Sequence, residues 1–281
     1  MRLMRAALPQ GQRVLGSWDG TTALATVGGR DFEDLPELLE ACGGDAAAIT
    51  PGATVEVDAG SQLSVAASPR KVVCVGLNYR LHAEETGAKL PTSPMLFPKW
   101  ATSVTGPYDE ILLPPESKMV DYESELAFVF GRRCRRVLPE QAGDVVFGYT
   151  LANDVSMRDF QHHTTQFAPG KAWDRSTPIG PALVTADEVG GTQPNLAITG
   201  RLNGEVVQDS RTDDLIFGIP ELVAYLTTFM TMEPGDIVLT GTPSGVGNAE
   251  TPPRGLSDGD VYEVGIEGIG SLINRFVAED V

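Results

Sequence analysis

Asp121-Tyr-Glu-Ser-Glu-Leu-Ala-Phe-Val-Phe130 has the clearest structural pattern in the chain. Its aromatic and β-branched residues favour a strand, and the two-residue period of a strand places Asp121, Glu123 and Glu125 on one face. The next two positions of that face are apolar, which indicates that the face is partly buried. Buried carboxylates repel one another unless water or a cation lies among them. Two interpretations follow: a solvated edge strand, or a site for a hard divalent ion.

Short apolar runs elsewhere indicate further strands, separated by turns more often than by helices. Asn203-Gly204 is typical of a two-residue hairpin turn. Helical periodicity is clearest over residues 31–41 and 219–230. Strands are predicted at residues 71–76, 123–130, 145–152, 196–202 and 237–240. Because strands do not alternate regularly with helices, the sequence predicts a mainly β, α+β fold and neither a barrel nor a doubly wound sheet.

The chain divides into two regions of different character. Residues 1–68 predict a small N-terminal domain of short strands and one acidic helix, and residues 69–281 predict a larger catalytic domain. Ser68-Pro69-Arg70-Lys71 is typical of a boundary. A chain of 281 residues is long enough to bury a substantial core in such an arrangement.

Composition and charge restrict the classes of function. The content of 42% hydrophobic and 21% charged residues is typical of a folded protein. A net charge of −17 repels phosphate backbones and anionic lipid, which argues against nucleic-acid and membrane partners. The spacing of Cys42, Cys74 and Cys134 suits neither a disulfide framework nor a zinc site, and no apolar run is long enough for a secretion signal or a membrane span. We therefore expect a cytoplasmic protein that acts on a small molecule.

Three further polar residues are candidates for metal binding or general base catalysis. Asp154 follows an apolar strand and is either a turn former or a third oxygen ligand beside Glu123 and Glu125. His82 and Glu85 have the i, i+3 spacing that places two side chains on one helical face. A neighbouring carboxylate prepares an imidazole for general base catalysis, although pairs of this kind are also common on surfaces.

Two glycine-containing segments complete the candidate set. Lys171 follows a glycine and is either a solvated loop lysine or a cation that faces an oxyanion. In Thr240-Gly-Thr-Pro-Ser-Gly-Val-Gly247, backbone amides and the Thr242 hydroxyl suit a carboxylate. The segment lacks the Gly-Lys-Ser/Thr ending of a nucleotide-binding loop, and Ser244 lacks the glycine spacing of a nucleophile elbow. Nucleotide and serine-hydrolase chemistry are therefore disfavoured.

In this order, the motifs resemble those of the fumarylacetoacetate hydrolase superfamily, over about residues 70–278. The segments that carry the resemblance are Gly76-Leu-Asn-Tyr with His82 and Glu85, Asp121-Tyr-Glu-Ser-Glu-Leu, Gly148-Tyr-Thr with Asn153-Asp154-Val-Ser and Arg158-Asp159, Gly170-Lys171, and Thr240-Gly-Thr-Pro-Ser-Gly-Val-Gly247. The resemblance implies a mixed β-sandwich roll that forms a homodimer. The N-terminal region is similar to that of the bacterial 2-hydroxyhepta-2,4-diene-1,7-dioate isomerase and acylpyruvase branch.

The resemblance also implies roles for particular residues. One Mg²⁺ or Mn²⁺ would be held by Glu123, Glu125 and Asp154. The catalytic residues would be His82, Glu85 and Lys171, and the substrate-binding residues Tyr79, Gln161 and Thr242. The segment that carries the His–Glu pair would act as a lid, and the pair would activate water or move a proton. Because the implied substrates are dicarboxylates and the chain is acidic, we expect cations at the mouth of the site, with Arg80, Lys99 and Arg175 as candidates.

The implied function is metal-dependent chemistry on 2-oxo or 2-hydroxydienoic dicarboxylic acids of aromatic-compound catabolism. Hydrolysis of a carbon–carbon bond in an acylpyruvate such as fumarylpyruvate passes through an enolate held by the metal and Lys171. Isomerisation of 2-hydroxyhepta-2,4-diene-1,7-dioate needs only proton transfer between carbons. Decarboxylation of oxaloacetate reaches the same enolate and is the alternative reaction. A protein that binds a metal or a small acid without catalysis is the alternative of a different class.

Overall fold

A computed structural model gives the architecture and describes residues 1–18, 22–58, 60–66 and 69–280. The N-terminal region is built of short strands around one helix. Its strands are β1 (Arg2–Ala7), β2 (Arg13–Trp18), β3 (Thr22–Val27), β4 (Arg30–Asp31), β5 (Thr50–Val55) and β6 (Gln62–Leu63), and its helix is α1 (Leu35–Ala41). The predicted helix over residues 31–41 begins too early, because residues 30 and 31 pair with β3 as a short strand.

Strands also dominate the rest of the chain, as the sequence predicts. They are β7 (Val72–Gly76), β8 (Met95–Lys99), β9 (Val104–Thr105), β10 (Ile111–Leu113), β11 (Val120–Asp121), β12 (Ser124–Phe130), β13 (Val146–Asn153), β14 (Ser156–Met157), β15 (Thr177–Thr185), β16 (Ala197–Leu202), β17 (Glu205–Arg211), β18 (Ile237–Leu239), β19 (Val261–Ile266) and β20 (Gly270–Ala278). The helices are α2 (Arg80–Glu85), α3 (Arg158–Gln161), α4 (Ala168–Lys171) and α5 (Ile219–Phe229). None of the helices within the described residues is long and apolar enough to cross a membrane.

The strands form a large sheet and a smaller one packed against it. The large sheet runs in the order β4-β3-β2-β1-β15-β13-β12-β18-β7-β8, and the smaller one in the order β10-β20-β19-β16-β17. N-terminal strands join the large sheet through antiparallel pairing of β1 with β15. The predicted domain boundary between residues 68 and 69 falls partly outside the described residues, which omit residues 67 and 68.

The strand predicted over residues 123–130 is buried on both faces. β12 lies between β13 and β18 in the large sheet, so the interpretation of a solvated edge strand is wrong. Phe128 and Phe130 point into the core shared with the smaller sheet, and Ala127 and Val129 belong to the core cluster that contains the leucines of α1. Asp121 does not continue this strand but lies in β11, which pairs with β14. The fold therefore places carboxylates at the beginning of a fully buried strand.

Two local predictions are confirmed. Asn203 and Gly204 form the turn between β16 and β17 with φ of 52° and 85°, the left-handed values that a tight hairpin turn requires. α5 begins beside Pro220 in its first turn, and its buried side chains lie on one face. Each of these two elements is predicted correctly because it depends on residues that are close together in the sequence.

Candidate active site and metal centre

Three buried carboxylates converge where β12 begins and β13 ends. Glu125 is the second residue of β12, Glu123 immediately precedes that strand, and Asp154 immediately follows β13. The antiparallel register sets Ser124 opposite Asn153, and the amide of Asp154 donates to the carbonyl of Glu123 at 2.9 Å. One oxygen from each carboxylate lies within 4.8 Å of the other two. The structure thus brings together the three predicted metal ligands.

Cations contact two of these carboxylates. Lys171 Nζ lies 2.6 Å from Glu123 Oε2 and 2.9 Å from Asp154 Oδ2. Arg158 Nη2 lies 2.7 Å from Glu123 Oε1, and Lys99 Nζ lies 2.6 Å from Asp154 Oδ1. Burial raises the pKa of Glu123, but the positive charges of Lys171 and Arg158 outweigh burial and hold that pKa below its ordinary value.

Glu125 makes no ion pair with any residue that the structure describes. Its Oε2 accepts a hydrogen bond from the amide of Gly241 at 2.6 Å. Burial, together with the negative charges of Asp154 and Glu123, raises the pKa of Glu125 well above its ordinary value. A divalent cation among the three carboxylates would offset this repulsion, and an all-oxygen donor set suits Mg²⁺ or Mn²⁺. The side chains present therefore fit a hard divalent metal ion.

The predicted His–Glu pair forms on α2. His82 Nδ1 lies 2.9 Å from Glu85 Oε2, and Glu85 Oε1 accepts a hydrogen bond from the amide of Gly245 at 2.8 Å. These contacts orient the imidazole and leave Nε2 as its free nitrogen. The two side chains are 12% and 24% exposed, so the pair reaches both solvent and the cavity beside the carboxylates. That position suits proton transfer.

A cavity of about 330 Å³ is lined by Glu123, Glu125 and His82. Of the other predicted residues, Gln161, Lys171 and Thr242 line it. Arg158 Nη1 donates to Gln161 Oε1 at 3.1 Å, and Gln208 Nε2 donates to Thr242 Oγ1 at 2.9 Å. The amide nitrogen of Gln161 and the hydroxyl proton of Thr242 thus remain to donate to a ligand.

The wall of the cavity beyond Lys171 is apolar. Its residues are Val75, Leu77, Ala88, Met95, Phe97, Phe167 and Val246. Lys171 Nζ lies 5.2 Å from the centre of the Phe97 ring, and Phe97 meets Phe167 edge to face at 5.7 Å. The cavity therefore combines charged groups with an extensive apolar lining.

Three predicted site residues, Asp154, Glu85 and Tyr79, are not among the residues that line this cavity. Asp154 lies beside the lining residues Glu123 and Glu125. Glu85 acts on it through its contact with His82. Tyr79 is fully buried at the beginning of α2, where its backbone pairs with Leu215. The substrate-binding role of Tyr79 stays a prediction.

Arg158 lines the cavity, although the sequence analysis assigned it no role. It is 7% exposed, and its Nε donates to Asp121 Oδ2 at 2.8 Å. Asp159 instead accepts hydrogen bonds from the Ser117 hydroxyl and the Lys118 amide, both at 2.7 Å. The spacing of Arg158 three residues before the predicted site residue Gln161 was the available signal.

The expected cations at the mouth of the site are not there. Lys99 is buried against Asp154, Arg175 pairs with Asp109 at 3.0 Å on the surface, and Arg80 donates to a backbone carbonyl at 3.1 Å. None of the three is among the residues that line the cavity. Charge at a strand end predicts proximity to a site but not whether a side chain points outward or inward.

Comparison with known proteins identifies the family. The profile described as fumarylacetoacetate (FAA) hydrolase C-terminal matches residues 71–277. The chain belongs to the fumarylacetoacetate hydrolase family. A rat protein named oxaloacetate tautomerase Fahd2a, mitochondrial, is 45% identical over 210 residues, which cover 74% of this chain and 67% of the relative.

Solved structures of this family extend the likeness to the whole chain. A 5-carboxymethyl-2-hydroxymuconate delta-isomerase from Mycobacterium smegmatis superposes with a TM-score of 0.79 at 33% identity and covers 100% of both chains. A fumarylpyruvate hydrolase from Pseudomonas aeruginosa, in complex with Mn²⁺ and pyruvate, has a TM-score of 0.68 at 36% identity over 75% of this chain and 91% of its own. The mixed, mainly β fold of this family is therefore the fold of this chain.

Proposed function

We propose that this chain is a divalent-metal-dependent enzyme that interconverts the enol and keto forms of oxaloacetate. The observation that carries the proposal is the arrangement of the His82–Glu85 pair and the three carboxylates around one cavity. The 45% identity to an oxaloacetate tautomerase supports this substrate. The reaction needs a proton to move between C3 and the oxygen on C2, and it needs stabilisation of the negative charge that passes through that oxygen.

Glu123, Glu125 and Asp154 would hold the metal ion. Such an ion, when bound, supplies Lewis acidity that makes the C3 protons of a 2-oxo acid more acidic. The residues that carry protons and orient the acid belong to the chain itself.

His82 moves the proton. Its Nδ1 faces Glu85, which supports the positive charge of the imidazolium. Nε2 gives a proton to C3 of the enol while the enol hydroxyl loses its proton to solvent; in the reverse direction, Nε2 removes a C3 proton and the oxygen on C2 takes one from solvent. Because the pair is partly exposed, the imidazole re-equilibrates with solvent between turnovers. The reaction requires no nucleophile and no cleavage of a carbon–carbon bond.

Two donors orient the acid and stabilise its charge. Lys171 uses two of its three N–H groups on Glu123 and Asp154, and within the described part of the chain the third has no acceptor. The amide nitrogen of Gln161, which Arg158 fixes in orientation, is the second donor. Both groups are buried, and donors held in place in a low-dielectric site stabilise a developing negative charge strongly.

The test is the rate at which enol-oxaloacetate ketonises, followed by the loss of enol absorbance in the presence of Mg²⁺ or Mn²⁺. We expect His82→Ala to lower kcat by about 10²–10⁴-fold, the usual contribution of a positioned general base. His163→Ala is the matched control, because His163 packs on Phe160 outside the lining of the cavity and should change nothing. Equal rates in the His82→Ala variant and the native chain would contradict the assignment of the base.

Hydrolysis of an acylpyruvate is the second candidate. The cavity of about 330 Å³ extends along an apolar wall beyond Lys171, which leaves room for an acyl group, and the Mn²⁺- and pyruvate-bound relative is a fumarylpyruvate hydrolase. In this reaction, His82 takes a proton from water, the water oxygen bonds to C4, the C3–C4 bond breaks, and the proton passes to C3. Isomerisation of a 2-hydroxydienoate would use the same proton transfer and has the likeness to the delta-isomerase in its favour.

Product analysis separates these reactions. Fumarylpyruvate and acetylpyruvate are incubated with the metal-loaded chain and followed by proton NMR. Pyruvate with fumarate or acetate would support hydrolysis, and unchanged acylpyruvates together with rapid enol ketonisation would support tautomerisation alone. Carbon dioxide release from oxaloacetate would favour the decarboxylase.

A further inference from the structure

A second cavity lies at the opposite end of the strands that carry the active site. It has a volume of about 240 Å³ and is lined by charged residues, by the end of α1 and by the loops that flank β12 and β18. Those charged residues are Glu40, Arg70, Arg132, Arg133 and Glu233. Arg70 precedes β7 and the two neighbouring arginines follow β12, whereas the active-site cavity lies where β7 ends and β12 begins. A ligand in the second cavity would therefore not compete with a 2-oxo acid.

The arginines come from an unusually basic stretch of an acidic chain. Gly131-Arg-Arg-Cys-Arg-Arg136 carries four arginines in six residues, whereas the net charge of the chain is −17. Both cavity arginines of this loop and Arg70 are exposed to solvent. The loop therefore creates a local positive potential that the overall composition does not suggest.

Close backbone contact fixes the shape of this cavity. A Cβ placed on Gly44 would lie 2.7 Å from the carbonyl oxygen of Gly131 and 3.3 Å from Arg132 Nε. The turn after α1 thus packs directly on the arginine loop, and α1 itself is anchored by Leu35, Leu38 and Leu39 in the core. The cavity is held open by the fold rather than by mobile side chains alone.

The charges in the cavity are unbalanced. Three guanidinium groups face two carboxylates, and the ion pair between Arg133 Nε and Glu233 Oε1 is long, at 3.6 Å. Neither Arg70 nor Arg132 makes a side-chain hydrogen bond or ion pair with any residue in the ranges that the structure describes. Guanidinium groups with free N–H donors match the planar oxygens of carboxylates and phosphates, and an anion would also relieve their mutual repulsion.

We propose that this cavity binds a small polyvalent organic anion that carries phosphate or carboxylate groups. Arg70, Arg132 and Arg133 hold its charged oxygens, and Glu40 and Glu233 accept hydrogen bonds from its hydroxyl or amino groups. The volume of about 240 Å³ suits a molecule of several charged groups better than a single inorganic ion. The proposal stands independently of the reaction in the active site, since the two cavities share no lining residue.

Calorimetric titration of the full chain with citrate and with pyrophosphate, at constant ionic strength, tests the proposal. The native chain is expected to bind at least one of the two, with and without Mg²⁺, because the arginine cavity needs no metal. The variant Arg70→Ala/Arg132→Ala should weaken binding by about tenfold or more, which corresponds to the loss of charge-assisted hydrogen bonds. The matched control is Arg135→Ala/Arg136→Ala, which removes the same charge from the same part of the chain outside the cavity and should change affinity less than about twofold.

The relative affinity for the two anions identifies the chemical class of the ligand. Tighter binding of pyrophosphate identifies a phosphate-bearing ligand, and tighter binding of citrate identifies a polycarboxylate. No heat from either anion, binding that requires Mg²⁺, or equal loss in both double variants would overturn the proposal, since the last two results point to the metal centre or to diffuse electrostatic attraction.

Discussion

Lys99 is a buried cation that contacts one of the three carboxylates of the candidate metal centre. Its side chain is fully buried, and its ammonium contacts Asp154 Oδ1 at 2.6 Å and donates to Thr177 Oγ1 at 2.8 Å. The lysine thereby fixes the orientation of the Asp154 carboxylate, whose Oδ2 contacts Lys171 Nζ at 2.9 Å. Contacts behind a ligand of this kind set both its geometry and its charge.

Replacement of Lys99 by Met should therefore weaken metal binding. We expect a loss of ~10–100-fold in Mn²⁺ affinity, the usual effect of removing a group that orients a ligand, because Asp154 would lose its partner and its fixed rotamer. Calorimetric titration with Mn²⁺ measures this directly. Lys71→Met is the control, since it removes a comparable lysine–aspartate contact of 2.7 Å, to Asp236, away from the site. Equal Mn²⁺ affinity in both variants would contradict a positioning role for Lys99.

Sequence reasoning at this scale found the residues whose partners are near in the chain. Alternation places Glu123 and Glu125 on one face of a strand, and helical spacing joins His82 to Glu85. Lys99 was misplaced and Arg158 was given no role, because their contacts join segments that are distant in sequence and whose side-chain directions depend on the packed sheet. The sequence shows that a residue carries a charge, but it does not show which carboxylate that residue contacts.

The glycine-rich loop after β18 is the element that connects the His82–Glu85 pair to the sheet. Its Gly245 has φ of +96°, and its amide donates to Glu85 Oε1 at 2.8 Å. A Cβ at this position would clash with the carbonyl oxygen of Val207 in β17. Glycine is therefore required twice here, for the backbone angle and for the close approach.

Gly245→Ala should destabilise the fold and impair catalysis together. The left-handed φ alone costs about 1 kcal/mol in a non-glycine residue, and the clash with β17 adds to it by shifting the loop away from α2. Gly204→Ala isolates the first cost, because Gly204 has φ of +85° and open space around it. Urea unfolding and kcat measure the two effects. An equal loss of unfolding free energy in both variants, with unchanged kcat in Gly245→Ala, would contradict this role of the loop.

The positions of strands and turns were predicted better than the pairing of strands within the sheet. The run from residue 123 to residue 130 corresponds closely to β12, and the hairpin at Asn203-Gly204 forms as expected. The order of strands in the sheet could not be predicted, because β12 pairs with β13 and β18, which lie on either side of it in space and at different distances along the chain. Pairing depends on the whole set of faces that must be buried, whereas periodicity describes one element at a time.

At the scale of the whole molecule, the N-terminal region and the rest of the chain share a core. Leu35, Leu38 and Leu39 of α1 lie in one cluster with Val72, Ala127, Val129 and Leu183. The amino group of Met1 also contacts Thr185 Oγ1 at 2.7 Å, next to the pairing of β1 with β15. Motif resemblance from about residue 70 onward could not predict this, because the contacts lie outside the motifs.

A truncation in this shared core should therefore affect the entire chain. Leu38→Ala is expected to lower the free energy of unfolding by about 2–5 kcal/mol and to shift a single transition seen equally by circular dichroism and by tryptophan fluorescence. Leu90→Ala is the control, since Leu90 is 56% exposed and its loss should cost less than about 0.5 kcal/mol. An early transition seen by one probe alone would show that the N-terminal region unfolds separately.

The central claim is that Glu123, Glu125 and Asp154 hold one divalent ion, and Mn²⁺ binding followed by electron paramagnetic resonance tests it most directly. Glu125→Gln removes a carboxylate that makes no ion pair with the residues that the structure describes, while its amide oxygen still accepts from the Gly241 amide. The native chain should bind one Mn²⁺, and Glu125→Gln should bind it at least about tenfold more weakly. Glu116→Gln, at an exposed carboxylate outside the cavity, should bind as the native chain does. Native affinity in Glu125→Gln would contradict the account.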